Sequence, residues 1–155
     1  MPDAGSTVAF RFGPAQASDF ERLFDIRLLA MRDSLERIGR FDPDRARKRF
    51  NESFRPGHTR LMFDAGGQLL GCVAFGPHDG ALLLEHFYLL PKAQGQGIGG
   101  AVLRRLLDEA DAAGLAVRLD VLRGSDARRF YDRHGFVETH RDAFDIYMER
   151  PPFGA

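Results

Sequence analysis

The chain has 155 residues, 44% of them hydrophobic and 28% charged, a size and balance that suit one globular domain with a real core. A formal net charge of zero gives no general attraction to nucleic acid or to a membrane surface. Cys72 is the single cysteine, so no intrachain disulfide forms and a reducing, cytoplasmic setting is expected, while no apolar run approaches the roughly 20 residues of a membrane-spanning helix.

In chain order, residues 1–7 are small and polar and read as a lead-in, 8–150 as one domain, and 151–155 as a tail. Alternation over 8–12 predicts a strand. Ser18, three residues before Glu21, reads as the capping box of a helix with Phe20, Leu23, Phe24, Leu28, Met31 and Leu35 on one face. Asp42-Pro43 starts a second helix, with the aspartate as cap and proline in the first turn, and Ala46, Phe50 and Phe54 share its apolar side. Asp42 and Asp44 interleave with the basic run from Arg37 through Arg40, Arg45 and Arg47 to Lys48 and Arg49, which therefore reads as a solvated helix face.

Pro56-Gly57 ends that helix, and three strands follow, over 59–64, 69–76 and 81–90. The turns between them are Ala65-Gly66-Gly67-Gln68 and Pro77-His78-Asp79-Gly80. A helix over 98–113 buries Ile98, Val102, Leu103, Leu106, Leu107 and Ala110 and stops at Gly114. Residues 116–122 form a strand, Ser125 caps a short helix holding Phe130 and Tyr131 up to Gly135, and strands over 136–140 and 144–149 close the chain. Cys72, among Leu70, Gly71, Val73 and Ala74, reads as a buried filler.

Gln94-Gly95-Gln96-Gly97-Ile98-Gly99-Gly100 joins a strand to a helix. Without Cβ atoms the backbone comes close to a ligand, and the first N–H groups of the helix converge on one point, which suits a phosphate. Gly95, Gly97 and Gly100 spell G-x-G-x-x-G, with Asp120 placed as a ribose ligand would be. Against a dinucleotide fold, Pro91 to Gln94 intervene between strand and glycines, and the chain after Asp120 is too short for further βα units.

The same stretch parsed as Gln94-x-x-Gly97-x-Gly99, with Ala127-Arg-Arg-Phe-Tyr131-Asp-Arg-His-Gly135-Phe136 downstream, resembles the GNAT (N-acetyltransferase) superfamily over roughly residues 10–150. The closing Tyr147-Met148-Glu149-Arg150-Pro151-Pro152 is similar to the end of bacterial members. The resemblance implies a mixed, mostly antiparallel α/β sheet of six to seven strands flanked by about four helices, splayed between the fourth and fifth strands. It implies acetyl-CoA as co-substrate, with its pantetheine arm along Tyr88, Leu89 and Leu90 and its diphosphate at Gln94, Gly95, Gln96, Gly97, Ile98, Gly99 and Gly100. Where relatives often carry a pantetheine-binding asparagine, this chain has the shorter Ser125.

Acetyl transfer to an amine needs a deprotonated amine, support for an oxyanion and a proton for the leaving thiolate. A phenol, with a reference pKa of about 10, can supply that proton, and the resemblance places Tyr131 there. Glu85 interrupts an apolar strand and is the candidate base, directly or through water. His86, its neighbour, points to the opposite face if the strand is regular, and His134 to the exposed side of its helix. A backbone N–H near Leu89 or Leu90 would meet the oxyanion. No residue spacing suits a metal. The expected acceptor is a small-molecule amine or a protein amino group, with Arg27, Arg32, Arg37 and Arg141 as candidate ligands for an acidic one. The resemblance also allows a homodimer, and the alternative function is an acyl-CoA-binding sensor module without catalysis.

Overall fold

The structure, a computed structural model, describes residues 9–37 and 39–153. The elements run β1 (Arg11–Pro14), α1 (Phe20–Arg37), α2 (Pro43–Ser53), β2 (Thr59–Phe63), β3 (Leu69–His78), β4 (Ala81–Leu89), α3 (Ile98–Ala113), β5 (Val117–Leu122), α4 (Ala127–Asp132), β6 (Val137–Arg141) and β7 (Asp145–Arg150). The strands form one seven-stranded sheet in the order β1-β2-β3-β4-β5-β7-β6. The pairings β1–β2, β2–β3, β5–β7 and β6–β7 are antiparallel. The parallel register of β4 with β5 takes in Leu82 with Val117 and Leu83 with Arg118, a short ladder that suits a sheet splayed there. The fold is the mixed, mostly antiparallel α/β architecture expected from the sequence, whereas a dinucleotide fold requires a parallel doubly wound sheet.

Contacts gather the described residues into two compact units, one from residues 9–74 with 86–105 and the other from residues 75–85 with 106–153. In the first, Leu23, Phe24 and Ile26 of α1 meet Ala46 and Phe50 of α2 over Leu61 and Cys72 of the sheet. Phe20, Phe24, Phe50 and Phe54 stack or tilt at centroid distances of 5.2 to 6.2 Å, so four large rings supply much of the buried apolar surface. The exposed Arg45, Arg47, Lys48 and Arg49 form the solvated face of α2. Asp42 caps α2 by accepting from the N–H groups of Asp44 and Arg45 at 3.1 and 3.2 Å. Cys72 is fully buried, and burial pushes its thiol up to about 12, as an inert filler requires.

In the second unit, β3 turns into β4 through Asp79 and Gly80, whose φ of 49° and 79° make the two-residue turn that matches strand twist. The helix α3 ends as the sequence predicts. Leu115 N–H donates to Ala110 C=O and Gly114 N–H to Asp111 C=O, the paired bonds that close a helix around a left-handed glycine. Arg150 grips Asp111 through both terminal guanidinium nitrogens, Nη1 and Nη2, at 2.8 and 3.1 Å, and Phe153 N–H donates to the same carboxylate.

Three local expectations are corrected. The first strand lies at Arg11–Pro14 instead of 8–12, and Val8 falls outside the described residues, as does the 1–7 lead-in. Ser18 does not cap α1: a 3-10 turn over Ala17–Asp19 precedes it, with Asp19 Oδ2 accepting from Gln16 N–H at 2.8 Å. The cap lies upstream because the extra turn moves the free N–H groups to Gln16 and its neighbours. Nor does Ser125 cap α4, whose N-cap position is Asp126.

Candidate active site

Within the first unit, β4 delivers Tyr88 and Leu89 to a 3-10 turn at Pro91–Ala93, and the glycine stretch follows. Gly95 and Gly97 take φ of 75° and 80°, a left-handed conformation that side chains resist. Around Gly95 a Cβ would meet nothing within 4 Å, so the conformation, not crowding, calls for glycine there. The first α3 bond in this loop runs from Ala101 N–H to Gly97 C=O at 3.1 Å, so the N–H groups of Ile98, Gly99 and Gly100 precede it and face outward from the helix start. Alternating left-handed residues followed by free helical N–H groups make a nest for anionic oxygens. Gly100 differs, because a Cβ there would meet only the flexible Arg104 head at 3.3 Å.

Two glutamines brace this loop. Gln94 Nε2 donates to Leu89 C=O at 3.0 Å and Gln96 Nε2 to Lys92 C=O at 2.7 Å, so both side chains shape the turn. Leu90 N–H donates to Leu70 C=O at 2.8 Å in the direction of β3. That N–H is therefore spent, which removes Leu90 as the oxyanion donor. Alternation along a strand turns the N–H of Leu89 to the other edge of β4. On the β3 side the approach is close: a Cβ at Gly71 would collide with Tyr88 C=O.

His86 departs from a regular strand. Its φ of 48° breaks the alternation that would oppose it to Glu85. Ser53 Oγ donates its only hydrogen to Arg49 C=O at 2.9 Å, so its 2.9 Å contact with His86 Nε2 must be accepted by the serine. The imidazole thus carries its proton on Nε2 and presents Nδ1 as an acceptor. Nδ1 lies 3.3 Å from Tyr88 OH, which takes a 2.6 Å hydrogen bond from Arg27 Nη1, and 3.4 Å from that same Nη1. Burial, then the charges of Arg27 and Arg55, lower His86 to about 4, so the ring is neutral at physiological pH. The imidazole and the Phe50 ring meet nearly perpendicular, with centroids 4.9 Å apart. Sequence reading missed this network, since Arg27, Ser53 and His86 share no local pattern.

The second unit holds Glu85, Ser125 and Tyr131. Glu85 is half-buried near the middle of β4. Tyr131 is buried on α4, its ring edge-on to Phe130 at 5.1 Å and Phe136 at 5.4 Å. Its backbone C=O accepts from His134 and Phe136, which fixes the turn through Gly135. His134 is half-buried instead of exposed, with Nδ1 2.8 Å from Phe130 C=O. Ser125 Oγ is buried without a hydrogen-bond partner among the described residues, a polar atom suited to a ligand contact. The glycine nest of the first unit suits anionic oxygens. Among the described residues no group of His, Cys, Asp or Glu could hold a metal, and no helix is long and apolar enough to cross a membrane.

Comparison with known proteins agrees with this geometry. Residues 57–138, more than half of the chain, match the model of the acetyltransferase (GNAT) domain. The chain is 30% identical over 107 residues to an IAA acetyltransferase of Azospirillum brasilense, covering 63% of this chain and 70% of that protein. Its fold is similar to the PaiA N-acetyltransferase of Thermoplasma acidophilum, solved in complex with coenzyme A, with a TM-score of 0.74, 18% identity and coverage of 92% and 99%. It is similar also to the ribosomal-protein-S18-alanine N-acetyltransferase of Escherichia coli, at a TM-score of 0.71, 19% identity and coverage of 94% and 96%. By the match of its sequence, its sheet and its glycine turn, the chain belongs to the acetyltransferase (GNAT) family.

Proposed function

We propose that the protein is an acetyl-CoA-dependent N-acetyltransferase that acetylates a primary amine by direct attack in a ternary complex. The observation that carries this reading is the paired left-handed conformation of Gly95 and Gly97 at the start of α3. It assembles several N–H donors for a diphosphate without a basic side chain. When bound, acetyl-CoA supplies the acetyl group as an activated thioester. The transfer forms one C–N bond and breaks one C–S bond, leaving two proton movements and one oxyanion for the protein to manage.

Each has a candidate. Leu89 N–H, turned away from β3, is the donor assigned to the oxyanion. Glu85 takes the proton released by the amine, directly or through water, and Tyr131 OH gives a proton to the departing sulfur. The rings of Phe130 and Phe136 hold Tyr131 in place. Gln94, through its bond to Leu89 C=O, positions the loop against the end of β4. Ser125 is assigned a pantetheine contact through its buried hydroxyl.

The test is Tyr131→Phe in an assay of thiol release over a library of amines. Removing a general acid costs on the order of a hundredfold in kcat, while the affinity for acetyl-CoA stays near that of the parent. Unchanged turnover would take Tyr131 out of the mechanism. Acetyl-CoA binding without turnover of any amine would instead favour the sensor alternative.

A further inference from the structure

The sequence offers four arginines for an acidic acceptor, and the structure separates them. Arg32 pairs with Glu36 at 3.1 Å. Arg141 makes two bonds of 2.7 Å to Glu138. Arg37 lies exposed at the end of α1, beside Ser34. Arg27 differs: it is half-buried in α1 and, among the described residues, faces no carboxylate. Its guanidinium stands against aromatic rings, 5.9 Å from the Phe50 centroid and 5.7 Å from that of Tyr88. Nη1 donates to Tyr88 OH, and Nε–H is buried without an acceptor.

Among the described residues, no ion pair within 4 Å compensates this cation. The hydrogen-bond order explains why no neighbour does so. Ser53 turns its lone pair to His86 Nε2–H, His86 presents Nδ1 to Tyr88 OH and, at 3.4 Å, to Arg27 Nη1, and Tyr88 OH receives Arg27. Every member apart from Arg27 is neutral, so the network orients the guanidinium without offsetting its charge. A buried or half-buried charge left in this condition costs free energy unless an anion completes it. Guanidinium, with several N–H groups in one plane, best matches a planar carboxylate. The position is also suited to substrate, because Tyr88 immediately precedes Leu89, the proposed oxyanion donor.

We infer that Arg27, held by Tyr88, His86 and Ser53, is the receptor for a carboxylate on the acetyl acceptor, so that the substrate is a small amine that also bears a carboxylate group. The inference rests on the acetyltransferase reading above for the fate of the amine, but the carboxylate contact is testable without turnover.

The experiment compares leucine, phenylalanine and 4-aminobutyrate, each against its carboxamide, with intact protein and with Arg27→Gln and Arg27→Lys. Thiol release with acetyl-CoA gives kcat/KM, and calorimetric titration of the same compounds gives binding in the absence of chemistry. Loss of a charge-assisted pair predicts that the intact protein prefers at least one carboxylate over its carboxamide by about tenfold or more. In Arg27→Gln that ratio falls to near one, and in Arg27→Lys, which keeps the charge but not the fork, it is intermediate. Thermal unfolding of both variants identifies any loss of fold, and the ratio in the intact protein is read independently of either. Equal binding of every pair by the intact protein overturns the inference, as does a preference that survives in Arg27→Gln. A preference for O-phosphoethanolamine over β-alanine overturns the carboxylate assignment as well. Carboxylate-selective binding lost in Arg27→Gln, with no turnover of any amine, upholds the receptor while the acetyltransferase reading fails.

Discussion

His86 shows how a single side chain can be shaped by groups distant in sequence. Burial and two arginines keep it neutral, so it titrates differently in the folded and unfolded chains. Above pH 6.5, the ordinary value for histidine, both states are neutral and the group contributes no pH dependence. As the pH falls from 6.5 to about 4, the unfolded chain takes up a proton that the folded one refuses, and stability declines. His86→Asn keeps a residue that tolerates the positive φ and removes the titration. Denaturant midpoints at pH 7.5 and pH 4.5 should therefore converge in the variant relative to the parent. An equal drop in both proteins would show that His86 does not carry this acid sensitivity. Asp111, Glu138 and Asp142, all lowered by hydrogen bonds, contribute to the drop in both proteins and cancel in the comparison. The short helix that carries Tyr131 was legible in sequence because its motif is local. The proton position on His86 was not, since it follows from Ser53, Arg49 and Tyr88 together.

At the scale of elements, helix periodicity located α3 to the residue, because six buried positions and a terminal glycine all agree. Its N-terminal loop is where backbone conformation and function coincide. Gly97→Ala forces an L side chain into φ near 80°, at a cost of about 1 to 2 kcal/mol if the loop holds and a displaced nest if it does not. We expect a weaker affinity for acetyl-CoA, by about five- to thirtyfold where that cost falls on the bound loop, with the α3 core intact. Isothermal titration with acetyl-CoA checks this, and equal affinity in variant and parent would show that the left-handed turn is not a binding device. Less legible were the element ends. The 3-10 turn before α1 displaced the expected cap from Ser18, and Asp126 stands where Ser125 was expected to cap α4. Caps depend on where the preceding chain enters, and residue type alone leaves that choice open between neighbours.

For the whole molecule, ligand linkage offers the broadest check. A ligand bound by the native state at a hundred times its Kd raises stability by about 2.7 kcal/mol. Acetyl-CoA and coenzyme A should each raise the unfolding temperature, and NAD at the same concentration should not; the reverse pattern would restore the nucleotide reading. The sequence by itself determined the order of strands and helices, the buried face of α3 and the glycine turn, because these depend on periodicity, conformational freedom and short-range motifs. Only the tertiary structure decided which arginine is half-buried against aromatic rings, which nitrogen of His86 holds the proton and which backbone N–H remains after Leu90 pairs with Leu70. The surroundings of Arg27, the proton on His86 and the pairing of Leu90 depend on partners 20 or more residues away, and hydrogen-bond donors are allotted only once the chain has brought such partners together.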